Sequence, residues 1–192
     1  MSELTITHNG VAQTAKAGFN QKKGTVERVT VTSSASAFTS GDVMCLSTEI
    51  PNATRIKGGL SKLIAITVLD LSGTIDNTSG TMDIIFSENQ ANYIGAISPS
   101  SSGGPTINDA NIKASNPLGA LTILDTQMDI PIGGTASITM TGMTDDNQER
   151  MPFLLQSAST STSVYFSLIA RDAVDLNAAD DLTFIFHIEY LD

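Results

Sequence analysis

The residues of this chain that could perform chemistry are few and widely separated. Only two histidines occur, His8 and His187, and neither has another metal-binding side chain three or four residues away. Structural zinc sites need four nitrogen or sulfur ligands and catalytic sites three, usually in short spacings, so the sequence predicts no zinc site. His187 lies in an alternating apolar segment, where a satisfied surface or interface histidine is the simpler interpretation.

Nucleophilic catalysis and phosphate binding also lack their usual patterns. The serines stand in turn-like segments or between apolar residues, and no G-x-S-x-G motif is present. The glycine pairs Gly58-Gly59 and Gly103-Gly104 lack the flanking pattern of a phosphate loop and a helix to follow it. We therefore predict no catalytic residues, no cofactor-binding residues and no enzymatic activity.

A cluster of acidic and amide side chains could hold a hard cation through oxygen ligands alone. It consists of Asp145, Asp146, Asn147 and Glu149. A second, looser pair is Asp70 with Asp76. Neither place matches the spacing of an EF-hand loop, so we predict no metal site and interpret the cluster as a solvated turn, with calcium binding as the alternative.

The basic residues are concentrated near the start of the chain. The net charge is −10, yet residues 1–62 carry seven basic and four acidic side chains, whereas residues 63–192 carry three and sixteen. Such an acidic body repels nucleic acid and anionic membranes, so neither is an expected partner. Lys16, Lys22 and Lys23 are the candidate partner-contact residues, in a basic arm that reaches an acidic neighbour; a solvated loop is the alternative.

The last residues of the chain give the clearest structural signal. Alternate positions from Asp181 to Asp192 are apolar, and a strand turns successive side chains to opposite faces. The apolar face consists of Leu182, Phe184, Phe186, Ile188 and Tyr190. A long strand of this kind must be held in a sheet, because a free apolar edge promotes aggregation.

Similar patterns recur along the chain, separated by clusters of Gly, Asn, Asp, Pro and Ser. Strands are predicted near residues 4–8, 27–33, 42–47, 61–70, 82–87, 119–124, 135–142, 152–158, 163–170 and 182–190. Such spacing is typical of an all-β protein, and apolar residues on both faces of 61–70 favour two packed layers. We expect a two-layer antiparallel β-sandwich, wound as a jelly roll, with very little helix.

Chain length and composition favour one domain. We assign residues 1–26 to an N-terminal arm or extended segment and residues 27–192 to a single β-sandwich domain. The single cysteine, Cys45, excludes an internal disulfide and is expected to be a small buried residue. No basic region followed by an apolar stretch opens the sequence, so we expect synthesis in the cytoplasm without a secretory signal.

Four segments together resemble small virion structural proteins of tailed bacteriophages. They are Ser40–Asp70, Met82–Phe86, Val164–Asp172 and Leu182–Tyr190, within residues 40–90 and 150–192. The resemblance implies a non-enzymatic head decoration (cement) protein on the capsid surface, assembled in the host cytoplasm. It also implies a homotrimer that binds the major capsid protein, and it transfers no catalytic residues.

Two other functions are compatible with the same residues. A tail, neck or fibre-associated virion protein would use the β-sandwich for attachment. A sugar-binding module is less favoured, because carbohydrate sites rely on aromatic platforms and the chain has no tryptophan and only three tyrosines.

Overall fold

The computed structural model describes residues 3–8, 11–16, 23–72, 80–90, 97, 109–125, 130–132, 136–141, 151–179 and 181–191. Twelve strands and one helix lie in this part of the chain. Their bounds are β1 Glu3–His8, β2 Val11–Lys16, β3 Gly24–Thr30, β4 Val43–Ile50, β5 Leu60–Asp70, β6 Met82–Ser87, α1 Asp109–Ser115, β7 Pro117–Ile123, β8 Ile130–Ile132, β9 Ala136–Thr141, β10 Phe153–Gln156, β11 Val164–Ala170 and β12 Leu182–Tyr190.

The strands form two main sheets and a separate hairpin. The six-stranded sheet has the order β3-β12-β5-β9-β8, with β10 also paired to β5, and the four-stranded sheet has the order β4-β11-β6-β7. β1 pairs with β2 in a two-stranded sheet of its own. All of these pairings are antiparallel.

The centre of the six-stranded sheet is β5, as its two apolar faces predict. One edge of β5 pairs along its length with β12. The other edge pairs first with β9, from Ile66 to Asp70, and then with β10, from Leu60 to Leu63. Two consecutive strands, β9 and β10, thus share one edge of β5.

One hydrophobic core joins the inner faces of the two main sheets. It contains side chains of β5 and β12 from the six-stranded sheet together with side chains of β4, β6, β7 and β11 from the four-stranded sheet. Phe184 and Phe186, which the alternation places on the apolar face of the last strand, have no exposed surface, and neither have Phe86 and Phe166. The predicted two-layer antiparallel β-sandwich is therefore confirmed.

The outer face of the four-stranded sheet carries the helix. Ile112 of α1 packs against Val43, Leu46 and Ile85, which form a second small apolar cluster behind the sheet. Helix content in the described residues is as low as expected, although α1 itself was not predicted.

Several boundaries differ from the sequence prediction. β3 begins at Gly24, inside the segment 1–26 that was assigned to the arm, and it already pairs with β12 there. The rest of that segment contains the hairpin of β1 and β2, of which only β1 was predicted. β8 was also missed, and residues 98–105, which include the pair Gly103-Gly104, lie outside the described residues.

Candidate interaction surface

The side chains examined for chemistry have structural roles where the structure describes them. Cys45 is fully buried on β4, and its burial raises the pKa of the thiol to about 12. His187 contacts Thr67 on the neighbouring strand, with 3.1 Å between Nε2 and Oγ1. No thiolate nucleophile is favoured in this environment, because the apolar surroundings disfavour the charged form.

The buried carboxylates fix turns. Asp70 accepts hydrogen bonds from the backbone N–H and the hydroxyl of Ser72, at 2.8 and 2.6 Å. Asp42 likewise accepts from the backbone N–H and hydroxyl of Thr39, at 2.7 and 2.9 Å. A short polar side chain that bonds the backbone two or three residues away is a common way to stabilise a turn.

The described residues offer no arrangement of ligands that could hold a metal ion. Among them, no group of three or more His, Cys, Asp or Glu side chains lies close enough to hold an ion. The cluster at residues 145–149 lies outside the described part of the chain, as does Asp76. In the same described part, no helix combines the length and hydropathy needed to cross a membrane.

The predicted partner-contact lysines lie before the sandwich. Lys16 is the last residue of β2, and Lys23 is exposed immediately before β3. The carbonyl of Lys23 accepts a hydrogen bond of 2.8 Å from the backbone N–H of Tyr190, so the arm is attached at the edge of the six-stranded sheet. Lys22 lies outside the described residues.

Sequence reasoning missed an apolar surface on the outer face of the six-stranded sheet. Val26 on β3, Ile64 on β5 and Leu154 on β10 remain 45%, 41% and 54% exposed. Val26 is opposite His187 on β12, and both line an open groove with Ile64. We call the set formed by Val26, Ile64, Leu154 and His187 the outer apolar band.

Ile64 is exposed because β5 contains an irregularity. The register between β12 and β5 shifts between His187, which pairs with Ala65, and Ile188, which pairs with Leu63. Ile64 is the extra residue, and this bulge places it on the groove beside Val26 and His187. Alternation alone cannot reveal such a position, since a bulge breaks the two-residue period.

A second polar group lies at the end of the four-stranded sheet. The hydroxyl of Ser163 donates to Glu49 at 2.5 Å, and Tyr165 pairs with Glu49 across β11 and β4. Partial burial, with the nearby Glu49 carboxylate as a smaller cause, raises the pKa of the Tyr165 phenol. The group is a cross-strand hydrogen-bond arrangement of Ser163 and Glu49 beside Tyr165.

Two comparisons of the sequence with known proteins identified no relative. No family model matches the sequence, and the search of curated proteins found no match.

Proposed function

We propose that the chain is a non-enzymatic virion structural protein of a tailed phage, most simply a decoration protein on the outer surface of the capsid. The observation that carries this proposal is the outer apolar band, which a single β-sandwich leaves uncovered. Contiguous exposed apolar surface on a compact domain is typical of a site of association with another protein. The resemblance of residues 40–90 and 150–192 to phage structural proteins supplies the identity of the particle.

The strand order supports a finer proposal, namely that the sandwich is wound as a jelly roll. β3 pairs with β12, β4 with β11, β5 with β9 and β10, and β6 with β7. Strands from the start of the sandwich therefore pair with strands from its end, as in one long hairpin folded across two sheets. Jelly rolls recur in viral capsid and lectin domains, so this winding is compatible with a virion role without proving one.

The charge distribution is compatible with attachment through the arm. Lys23 is exposed beside the first strand of the sandwich, and Lys16 ends the hairpin. These side chains precede a strongly acidic body, so the two parts of the chain favour partners of opposite charge. In this proposal the arm contacts an acidic neighbour, either the major capsid protein or another copy of the chain.

Purified particles test the proposal directly. Quantitative mass spectrometry should find this protein in hundreds of copies per particle, and cryo-electron microscopy should place it on the head between capsid subunits. A handful of copies, or density at the neck, tail or fibres, would reject decoration in favour of an attachment role. Absence from washed particles would reject both.

A further inference from the structure

The outer apolar band crosses the six-stranded sheet in one direction. Val26 on β3 is beside His187 on β12, His187 is beside Ala65 on β5, and Leu154 on β10 is opposite Lys62 on β5. Neighbouring strands lie about 4.8 Å apart, so four strands give a band roughly 14 Å wide. This width accommodates a two-stranded ribbon.

The bulge at Ile64 indicates that the exposure of the outer apolar band is not accidental. In a regular ladder Ile188 would be opposite Ile64, but it is opposite Leu63, so Ile64 is the extra residue of β5. The inserted residue is a large aliphatic side chain that is 41% exposed. Exposing an isoleucine forgoes burial worth on the order of 1 to 2 kcal/mol, so a partner that covers it recovers that free energy.

The part of the chain that the structure describes leaves the outer apolar band uncovered. The exposed fractions of Val26, Ile64 and Leu154 are those found with the whole chain present. No other described part of the same chain therefore shields these three side chains.

The N-terminal hairpin, formed by β1 and β2, would be stabilised by packing against a second layer. β1 and β2 pair with each other and with no strand of the two main sheets. An isolated two-stranded hairpin is at best marginally stable in water, because it has no layer to pack against. By strand alternation and the register of the pair, one face of the hairpin collects four apolar positions. They are Leu4, Ile6, Val11 and Ala15.

Chain length and charge agree with a hairpin that crosses to a neighbouring molecule. Residues 17–23 separate β2 from β3, and seven extended residues span at most roughly 25 Å. Residues 1–23 contain three lysines and one acidic residue, whereas residues 24–192 contain seven basic and nineteen acidic residues. Glu189 is exposed on the strand β12 that the band crosses, opposite Lys62 and Gly24.

We propose that the N-terminal hairpin of one copy docks on the outer apolar band of a second copy of this chain. The contact joins two different surfaces, so it closes as a reciprocal pair or as a ring, and a trimeric ring is one solution. The proposal concerns the protein by itself and holds whether or not the protein decorates a capsid.

Disulfide crosslinking between single-cysteine variants tests whether the hairpin of a second copy covers the outer apolar band. Cys45 is buried and resists modification, so each variant has one reactive thiol. Ile6→Cys and Val26→Cys, mixed under mild oxidation, should give a disulfide-linked pair of different chains. The double variant Ile6→Cys/Val26→Cys, kept dilute, separates the alternative: a crosslink only within one chain, with no crosslinked pair from the mixture, would overturn docking between copies.

The oligomeric state of the full-length protein provides a second test. Light scattering across a concentration series should show self-association that Ile64→Asp or Leu154→Asp weakens by at least about tenfold. Ile6→Asp in the hairpin should weaken it to a similar extent. The matched control is Ile56→Asp, because Ile56 is 52% exposed but lies in the turn between β4 and β5.

Each alternative outcome has a defined meaning. A wild-type chain that stays monomeric at every concentration overturns the inference. Association that the band variants weaken but Ile6→Asp does not would identify the band as an interface with another occupant, which also overturns it. Both results leave the particle experiment unaffected, so the decoration proposal fails or survives on its own measurement.

Discussion

At the residue scale, an aromatic cluster holds the two sheets together. Phe186 on β12 meets Phe166 on β11 edge-to-face, with ring centroids 5.0 Å apart, and Phe86 on β6 at 6.3 Å. Phe184, two residues earlier on β12, stacks beside Phe186 at 6.1 Å and meets Phe166 at 5.5 Å. Rings at these separations contribute beyond their buried area, and here they connect the last strand with the opposite sheet.

Truncation of the Phe186 side chain should therefore lower the stability of the fold considerably. We expect Phe186→Ala to lower the free energy of unfolding by about 3 to 5 kcal/mol, because it leaves a cavity among three other rings. Ile185→Ala is the matched control, since Ile185 is next in sequence but only partly buried on the opposite face. Urea unfolding of both variants checks this, and equal losses would contradict the assignment of faces on β12.

The buried thiol predicts a specific dependence on alkaline pH. Desolvation raises the pKa of Cys45 from 9.0 to about 12, despite hydrogen bonds with Leu168 and Thr48 that lower it. The folded state thus keeps a proton that the unfolded state loses above pH 9. Stability from this group is complete below pH 9 and is lost as the pH rises toward 12, by roughly 3 kcal/mol at pH 11.

Comparison with a variant isolates that effect. Between pH 8 and pH 11 the wild-type chain should lose more unfolding free energy than Cys45→Ala, whose smaller side chain does not titrate. Urea midpoints at both pH values measure the difference. Tyr165, whose pKa is also raised, titrates in both proteins and therefore cancels. Parallel losses in the two proteins would show that the thiol is hydrated.

The sequence predicted residue positions well where the strand period is unbroken. The alternation along β12 identified Leu182, Phe184 and Phe186 as core residues, because each side chain is placed by the two-residue period alone. The same two-residue period does not indicate the exposure of Ile64. A bulge depends on how two strands settle against each other, and this pairing is not visible in either strand alone.

At the element scale, β3 is attached to the sandwich through a position that accepts only glycine. A Cβ atom built at Gly24 would collide with the carbonyl oxygen of Ile188 on β12. The collision is with backbone, so relief requires the two strands to separate. This glycine is also where the arm enters the sheet, beside Val26 of the outer apolar band.

Gly24→Ala should therefore loosen the start of β3. We expect a loss of about 1 to 3 kcal/mol in unfolding free energy, together with faster hydrogen exchange at the amide of Tyr190, which bonds the carbonyl of Lys23. Arg28→Ala, an exposed change on the same strand, is the control and should alter neither quantity appreciably. Unchanged exchange at Tyr190 in Gly24→Ala would mean that β3 and β12 tolerate the added carbon.

The elements that the sequence did not predict share weak local signals. β2 contains Ala, Gln and Lys, which are uncommon in strands, and it becomes a strand only by pairing with β1. β8 has three residues, one of them proline. α1 has seven residues, fewer than two full turns of periodic pattern, and its Ile112 packs against Val43 of the sheet. Tertiary contacts decide such short elements, so local propensity cannot.

At the scale of the whole molecule, the chain combines an acidic sandwich with a basic arm. Within the arm and its attachment, Lys16, Lys22 and Lys23 are the cationic residues, whereas the sandwich carries a large excess of carboxylates. Surface charges of this kind influence association more than folding, because isolated exposed charges contribute little to stability. The candidate contact lysines could be predicted from composition, whereas the apolar band could be found only in the assembled sheet.

Charge reversal in the arm separates assembly from folding. Lys22→Glu with Lys23→Glu should leave the melting temperature within about 2 °C of wild type, since changes at exposed charges rarely alter stability appreciably. The same variant should be incorporated into particles several-fold less, because the arm would repel an acidic partner. Lys57→Glu with Lys113→Glu makes the same change in net charge at exposed positions of the sandwich and is the control. Quantitative mass spectrometry of particles carrying each variant measures incorporation, and equal incorporation of both would show that charge in the arm has no special role.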